Sequence, residues 1–246
     1  MREAVVGVLG GMGPDATARL FQLLIEATPA MRDQDHLRIL VDNNPKIPDR
    51  PAAILGQGID PFPYLEASAR TLEAAGADFL VMPCNTAHYW LGRLRQCVGV
   101  PILDMVAETA TAVREHTPAV ERIGLLATAA ALRVHLYQEA LSQGNITVIE
   151  ATPAEQEGIA ATISGIKAGN RAIGIGLTRI GRSLLDRGAR GLILGCTELS
   201  LIDEMRELGC PLFDPLAIVA RRAVEIAKNW DESRARLLGS QGGAPG

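Results

Sequence analysis

The chain has 246 residues, enough for one large domain or two small ones, and a formal net charge of −4. Hydrophobic residues make up 48% of it and aromatic residues only 4%, a composition typical of aliphatic α/β cores. The acidic balance without basic clusters argues against nucleic acid or a membrane as partner. Four cysteines without a C-x-x-C pair argue against a zinc site or a disulfide scaffold, so we expect a cytoplasmic protein with reduced thiols and no metal.

The first half of the chain alternates short apolar runs with amphipathic segments. This pattern predicts strands at residues 4–9, 37–41, 79–82 and 100–103, and helices at residues 15–27, 63–75, 85–97 and 106–115. A glycine-rich turn, GGMGP at residues 10–14, joins the first strand to the first helix. It lacks the G-x-G-x-x-G spacing, and Pro14 removes an N–H that a phosphate cradle would use. We therefore interpret it as a tight turn beside a ligand rather than as a nucleotide site.

A polar, proline-rich loop follows the second predicted strand, with the sequence DNNPKIPDRP at residues 42–51. It can be read as an ordinary surface loop. It can also be read as a substrate loop, in which Arg50 grips a carboxylate through two parallel hydrogen bonds. Functional groups concentrate on such loops, but the spacing alone leaves both interpretations open.

The second half of the chain repeats the alternation. It predicts strands at residues 122–127, 146–149, 192–194 and 211–213, and helices at residues 130–143, 153–167, 171–187, 198–208 and 215–230. The fold class is therefore α/β, with two pseudo-symmetric, doubly wound lobes of mainly parallel sheet. We expect residues 1–104 with 211–230 to form the first lobe and residues 105–210 the second. Residues 231–246 are polar, then small and glycine-rich, and are predicted to be a disordered tail.

The clearest repeat surrounds two cysteines. The segments GADFLVMPC and GARGLILGC align Cys84 with Cys196, each at the carboxyl end of a buried strand, where ligands bind in open parallel sheets. A lone cysteine among apolar residues is usually packed and inert. Two cysteines at the same strand end of facing lobes can instead stand on opposite sides of one carbon, where a thiolate removes a proton and a thiol returns one. The helix N-termini predicted after Asn85 and Thr197 should lower the pKa of both thiols.

Four segments give the chain a resemblance to the aspartate/glutamate racemase family, whose members work without pyridoxal phosphate. They are GGMGP at residues 10–14, NNP through PDR at 43–50, PCNTAH at 83–88 and GCTE at 195–198. The chain looks most similar to the aspartate racemases of that family, over essentially residues 4–230. The resemblance implies two α/β lobes with the active site in the cleft between them, no cofactor, a small acidic amino acid as substrate, and commonly a homodimer.

The resemblance also implies roles for individual residues. Cys84 and Cys196 would be the two bases, each serving one enantiomer. Arg50 and Lys167 match positions that hold the side-chain carboxylate in members with acidic substrates. The residues around the substrate α-carboxylate and amine would be Met12, Asn85, Thr86, Thr128 and Thr197.

Two more side chains lie next to the cysteines in sequence. His88 follows Cys84 by one helical turn and could tune that thiol, or only cap and pack. Glu198, close after Cys196, could be its proton partner. The segment AAALRVHLY at residues 129–137 departs from the family pattern, since it lacks the hydroxyl-bearing residues common there and adds Arg133. This departure leaves the preference between aspartate and glutamate open.

Three functions are compatible with these features. The first is racemisation of aspartate, with glutamate as the near alternative. The second is another activity of the same superfamily, such as that of hydantoin racemase, maleate isomerase or a decarboxylase; decarboxylases of that kind need one cysteine, so the pair favours a racemase. The third is a two-lobed binding protein for a small ligand, which predicts saturable binding without solvent exchange at Cα.

Overall fold

The computed structural model describes residues 2–170 and 174–239, which form two lobes of the same topology. The first lobe holds a four-stranded parallel sheet in the order β2-β1-β3-β4. Its strands are β1 (Val6–Gly10), β2 (Ile39–Asn43), β3 (Phe79–Val81) and β4 (Ile102–Leu103). The second lobe repeats this arrangement in the order β6-β5-β7-β8. Its strands are β5 (Arg122–Ala127), β6 (Thr147–Glu150), β7 (Leu192–Gly195) and β8 (Leu212–Phe213).

Helices cover both faces of each sheet, and short 3₁₀ turns lie among them. The α-helices of the first half are α1 (Pro14–Ala27), α2 (Arg50–Ile54), α3 (Phe62–Ala74), α4 (Leu91–Arg95) and α5 (Met105–Arg114). Those of the second half are α6 (Ala129–Arg133), α7 (Leu136–Ser142), α8 (Pro153–Lys167), α9 (Gly174–Asp186), α10 (Pro215–Lys228) and α11 (Trp230–Gly239). The predicted class, two doubly wound α/β lobes with parallel sheets, is confirmed. The helix predicted at residues 171–187 corresponds to α9, and its predicted start at residue 171 lies outside the described residues.

The lobes resemble each other even in the packing of their central strands. A Cβ atom added at Gly7 of β1 would lie 2.6 Å from Leu80 Cδ2, and one at Gly124 of β5 would lie 2.6 Å from Leu192 Cδ2. Real Cβ contacts are essentially never this short, so each position admits only glycine without rearrangement. The two halves therefore repeat in three dimensions as they do in sequence.

The helix that follows the last strand of each lobe packs against the other lobe. Helix α5 follows β4 of the first sheet, yet its Val106, Ala110 and Val113 lie in a core cluster of the second lobe. Helix α10 follows β8 of the second sheet, yet its buried residues pack with α1 in the first lobe. The carboxylates of Asp104 and Asp214 cap the N-termini of these two helices. This exchange joins the lobes through buried apolar surface.

Two predicted boundaries are wrong. The boundary at residue 211 placed β8 in the first lobe, but β8 pairs with β7, with Phe213 opposite Ile193. The predicted disordered tail begins at residue 231, but Trp230–Gly239 forms α11, because Trp230 stacks on Phe79 and Leu237 is buried in the first-lobe core. Residues 240–246 of that tail lie outside the described residues. Within the described part of the chain, none of the helices has the length and apolar character needed to cross a bilayer.

Candidate active site

The two cysteines occupy equivalent places at the carboxyl ends of β3 and β7. Both side chains are buried, with 6% of Cys84 and 7% of Cys196 exposed. The chain after each cysteine forms a 3₁₀ turn, Thr86–Trp90 and Thr197–Leu201, where the sequence predicted α-helices. Neither turn has a side-chain cap: Asn85 at the start of the first bonds to Tyr137, and Cys196 at the start of the second bonds to Glu198. The α-helix N-termini expected after the two cysteines are therefore replaced by the N-termini of short 3₁₀ turns.

Hydrogen bonds between the lobes surround the cysteines. The hydroxyl oxygens of Thr86 in the first lobe and Thr128 in the second lie 3.2 Å apart. In the opposite direction, Thr197 Oγ1 of the second lobe donates to the carbonyl of Pro83 in the first, at 3.2 Å. Each cysteine turn is thus bonded to the facing lobe, which brings the two sheet edges together over one site.

A tyrosine that the sequence analysis did not single out completes this network. Tyr137 is fully buried, and its hydroxyl donates to Asn85 Oδ1 across the lobes. Burial raises the pKa of Tyr137, so the phenol stays protonated. Asn85 Nδ2 is buried with no hydrogen-bond partner among the described residues, which leaves a donor for a ligand. Asn85 and Tyr137 lie 52 residues apart in different lobes, so no local sequence signal pairs them.

Cys196 lies against a carboxylate rather than a helix N-terminus. Its Sγ donates to Glu198 Oε2 at 3.0 Å, and Lys167 Nζ lies 3.9 Å from Glu198 Oε1. Burial and the negative charge of Glu198 raise the pKa of Cys196 well above its ordinary value, while Lys167 acts in the opposite direction. The predicted lowering of the pKa is therefore wrong for this thiol. Charge on Cys84 also raises the pKa of Cys196, which is consistent with two neighbouring thiols.

His88 connects the Cys84 turn to the start of α5. Its Nδ1 lies 2.8 Å from the Cys84 carbonyl oxygen, which only accepts, so Nδ1 carries the proton. Its Nε2 accepts from the Met105 N–H at 3.1 Å. Burial lowers the pKa of His88, outweighing the attraction of Asp104, and holds the imidazole neutral. With both ring nitrogens occupied, the geometry favours the capping role of His88 over tuning of the thiol.

A cavity of about 440 Å³ opens between the lobes. Its lining residues include neither cysteine, but they include Glu198, which accepts a hydrogen bond from the Cys196 thiol. Arg50 lines it from the first lobe, and Lys167 and Glu198 line it from the second. The remaining lining residues come from the glycine-rich turn, the start of α1, the proline-rich loop and the end of α8: Gly11, Gly13, Pro14, Asp15, Ala16, Pro45, Ile47, Asp49 and Ile166. The cavity thus collects one cation from each lobe. Met12 is buried in the same apolar cluster as Cys84.

The Arg50 guanidinium is fixed at the cavity wall. Asp49 caps α2, which begins at Arg50, and Arg50 Nη1 donates to the carbonyls of Ile47 and Pro48 at 3.0 and 2.8 Å. Arg50 is buried, and among the described residues no carboxylate pairs with it and its Nε has no hydrogen-bond partner. A buried guanidinium in this state is suited to bind an anionic group of a ligand. By contrast, Arg133 is exposed.

No group of three or more histidine, cysteine, aspartate or glutamate side chains in the described ranges could hold a metal ion. The four cysteines are free thiols. The groups available at this site are therefore two buried thiols, the carboxylates of Asp15, Asp49 and Glu198, the cations of Arg50 and Lys167, and a set of neutral hydrogen-bond donors. Such a set can bind a small anion and move a proton at a carbon between the thiols.

Known proteins share this architecture. The broad specificity amino-acid racemase RacX of Bacillus subtilis (strain 168) is 26% identical over 230 residues, which covers 89% of this chain and 96% of RacX. The aspartate racemase of Picrophilus torridus superposes with a TM-score of 0.82 at 27% identity, covering 92% of this chain and 94% of that one. The glutamate racemase RacE1 of Bacillus anthracis shares the fold, with a TM-score of 0.69 at 19% identity over 94% of this chain and 84% of its own.

The family match extends over both lobes. A family model described as Asp/Glu/hydantoin racemase matches residues 9–223, a range that contains both cysteine turns, the proline-rich loop and the end of α8. The resemblance predicted from the four sequence segments is thereby confirmed. The two-lobed relatives agree with the observed arrangement of the sheets. The chain belongs to the Asp/Glu/hydantoin racemase family.

Proposed function

We propose that this amino-acid racemase interconverts L- and D-aspartate, with glutamate as the near alternative substrate, through a two-thiol mechanism without pyridoxal phosphate or metal. The observation that carries the proposal is the cavity between the lobes, where Arg50 and Lys167 converge with Glu198, the hydrogen-bond partner of Cys196. An acidic amino acid offers the side-chain carboxylate that these cations match. Its α-carbon would then lie between the two thiols.

In the proposed reaction, Cys84 as thiolate removes the α-proton from one face of the carbon. The Cys196 thiol gives its proton to the opposite face, so the configuration inverts and no net proton is consumed. The reverse direction exchanges the two roles. Asn85 Nδ2, which has no partner among the described residues, supports binding of the α-carboxylate, as do the hydroxyls of Thr86 and Thr128. Thr197, which follows Cys196 in the second lobe as Asn85 follows Cys84 in the first, would lie beside the substrate from that lobe.

The preference for acidic substrates rests mainly on Arg50. Its guanidinium is buried, anchored by two backbone carbonyls and without a carboxylate partner among the described residues. An apolar substrate side chain would leave this charge unpaired, which costs binding energy. RacX is described as broad in specificity, whereas the Picrophilus torridus relative is an aspartate racemase, so the test compares aspartate with a panel of other amino acids.

The decisive experiment is incubation of L- and D-amino acids with the protein in D2O, following loss of the α-proton by NMR and of optical rotation. We expect exchange and racemisation of aspartate without added cofactor. The Cys84→Ala/Cys196→Ala double variant, purified in parallel, controls for a contaminating racemase. Saturable binding of aspartate without exchange at Cα would instead support the binding-protein alternative.

Independence from cofactors is tested on the same preparation. Dialysis against a chelator and treatment with hydroxylamine should leave the racemisation rate unchanged. Loss of activity that returns on adding metal or pyridoxal phosphate would contradict the thiol mechanism. The homodimer and the cytoplasmic location stay predictions; sedimentation velocity and localisation of a tagged chain test them.

A further inference from the structure

The two thiols occupy equivalent positions but have different neighbours. The residues two places after the two cysteines correspond in the aligned sequence, although the 3₁₀ turn begins at that residue in the first lobe and one residue before it in the second. In the first lobe this residue is Thr86, whose hydroxyl lies 3.2 Å from the Thr128 hydroxyl. In the second lobe it is Glu198, whose carboxylate receives the Cys196 thiol. A neutral side chain thus stands beside one cysteine and a carboxylate beside the other.

The hydrogen bond at Cys196 fixes the position of a proton. An ionised carboxylate only accepts hydrogen bonds, so across the 3.0 Å contact between Sγ and the Glu198 carboxylate oxygen Oε2 the hydrogen lies on sulfur. No carboxylate forms the corresponding bond to Cys84 within residues 2–170 and 174–239. Ionising Cys196 would place two negative charges in contact in a site where only 5% of the Glu198 side chain is exposed.

Lys167 offsets this repulsion only in part. Its Nζ lies 3.9 Å from Glu198 Oε1, on the side of the carboxylate away from the thiol contact, and its side chain is 38% exposed. Glu198 Oε1 has no hydrogen-bond partner among the described residues. The ion pair is therefore long and partly solvated, whereas the contact between Glu198 and Cys196 is short and buried.

We propose that Glu198 is a positioning residue that keeps Cys196 protonated in the resting protein, so that Cys84 is the thiol that ionises first. The proposal rests on the proposed racemase function for its consequence. For the enantiomer whose α-hydrogen faces Cys84, the resting protein already holds the base, the Cys84 thiolate, and the acid, the Cys196 thiol. The other enantiomer reacts only after one proton has moved from Cys196 to Cys84. After each turnover of the first enantiomer, the proton taken by Cys84 must return to Cys196 to restore the resting state.

The test is alkylation of the intact protein with iodoacetamide over a pH series, with each cysteine followed separately by peptide mass spectrometry. Only the thiolate reacts, so the midpoint of the alkylation rate against pH reports the ionisation of that cysteine. Limited access of the reagent lowers the rate by the same factor at every pH and leaves the midpoint unchanged. In the unmodified protein the Cys84 midpoint should lie below that of Cys196. Glu198→Gln should lower the Cys196 midpoint by at least ~1 pH unit, about a tenfold faster reaction at neutral pH.

Two further variants sharpen the test. Glu198→Thr copies the neighbour of Cys84 and should bring the two midpoints together. Asp203→Asn removes a charge from a side chain that is 94% exposed in the next turn, and should leave both midpoints unchanged. Coincident midpoints in the unmodified protein would overturn the proposal without any variant, as would a Cys196 midpoint that Glu198→Gln does not move.

The alkylation result does not depend on turnover. A protein that racemises no amino acid but shows the two separated midpoints would refute the proposed function and retain the role of Glu198. Racemisation of aspartate with coincident midpoints would retain the function and refute the role. The two proposals therefore fail independently.

Discussion

Replacing His88 by alanine should destabilise the fold strongly, because the imidazole satisfies two buried backbone groups at once. It accepts from the Met105 N–H at 3.1 Å and donates to the Cys84 carbonyl at 2.8 Å. A buried backbone group left without a partner costs ~1–3 kcal/mol. With the cavity left by the ring, we expect His88→Ala to lower the free energy of unfolding by ~3–5 kcal/mol.

The same histidine should make stability depend on acid pH. Burial lowers the pKa of His88 in the fold, whereas the unfolded chain has the ordinary value of about 6.5. The stabilisation is therefore complete above pH ~6.5 and is lost as the pH falls below it, by up to ~1.4 kcal/mol per pH unit. His88→Asn removes the titrating group, so its free energy of unfolding should fall less steeply between pH 6.5 and 5 than that of the unmodified protein.

Urea unfolding at pH 7.5 and across the acid range measures both effects. Ser200→Ala is the matched control, since Ser200 follows Cys196 as His88 follows Cys84 and makes one buried bond, to Asp214 Oδ1 at 2.7 Å. We expect it to cost ~1 kcal/mol. The reasoning is refuted if His88→Ala unfolds within 1 kcal/mol of the unmodified protein, or if the acid dependence is identical in His88→Asn. Loss of turnover at unchanged stability would point to thiol tuning instead.

Three other predictions concern the site. Arg50→Leu should lower kcat/KM for aspartate by ~10- to 100-fold, because the substrate carboxylate loses a charged donor; equal turnover of alanine and aspartate by the unmodified protein would contradict the assignment. Cys84→Ala should stop racemisation in both directions yet exchange deuterium into one enantiomer, and Cys196→Ala into the other, as read by NMR; a near-normal racemisation rate in either variant would exclude the two-thiol mechanism. Because burial raises the pKa of Cys196 and of Tyr137, stability present below pH ~8.5 should fall as the pH rises, by ~1.4 kcal/mol per pH unit at first and more steeply above pH ~10. A flat urea profile from pH 8 to 10.5 would rule out this titration.

The strand and helix alternation predicted the fold because both periodicities are local and both halves repeat them. The assignment of β8 to the first lobe was wrong because strand pairing is a tertiary contact. Phe213 lies just before α10 in sequence, but its strand pairs with β7, opposite Ile193. The end of the chain failed for a similar reason. Its polar composition predicted disorder, whereas Leu237 packs into the core of the first lobe, which is distant in sequence.

At the site, residue types were predictable and their electrostatic state was not. The repeat identified Cys84 and Cys196, and proximity in sequence drew attention to Glu198. Whether a carboxylate raises the pKa of a neighbouring thiol depends on where the side chain points, and this orientation emerges only from packing. The bond between Tyr137 and Asn85 joins residues from different lobes, so no local pattern could reveal it.

The exchange of helices between lobes explains how the two thiols keep their relative position. His88 ties the Cys84 carbonyl to the N-terminus of α5, and the Ser200 hydroxyl ties the Cys196 turn to Asp214 at the N-terminus of α10. Since α5 and α10 each pack into the core of the opposite lobe, each cysteine turn is anchored to both lobes. Separating the turns would break buried hydrogen bonds and expose core surface together, at a cost of several kcal/mol. The core and these hydrogen bonds therefore hold the two cysteine turns in place before any ligand arrives, which is the preorganisation that a reaction on both faces of one carbon requires.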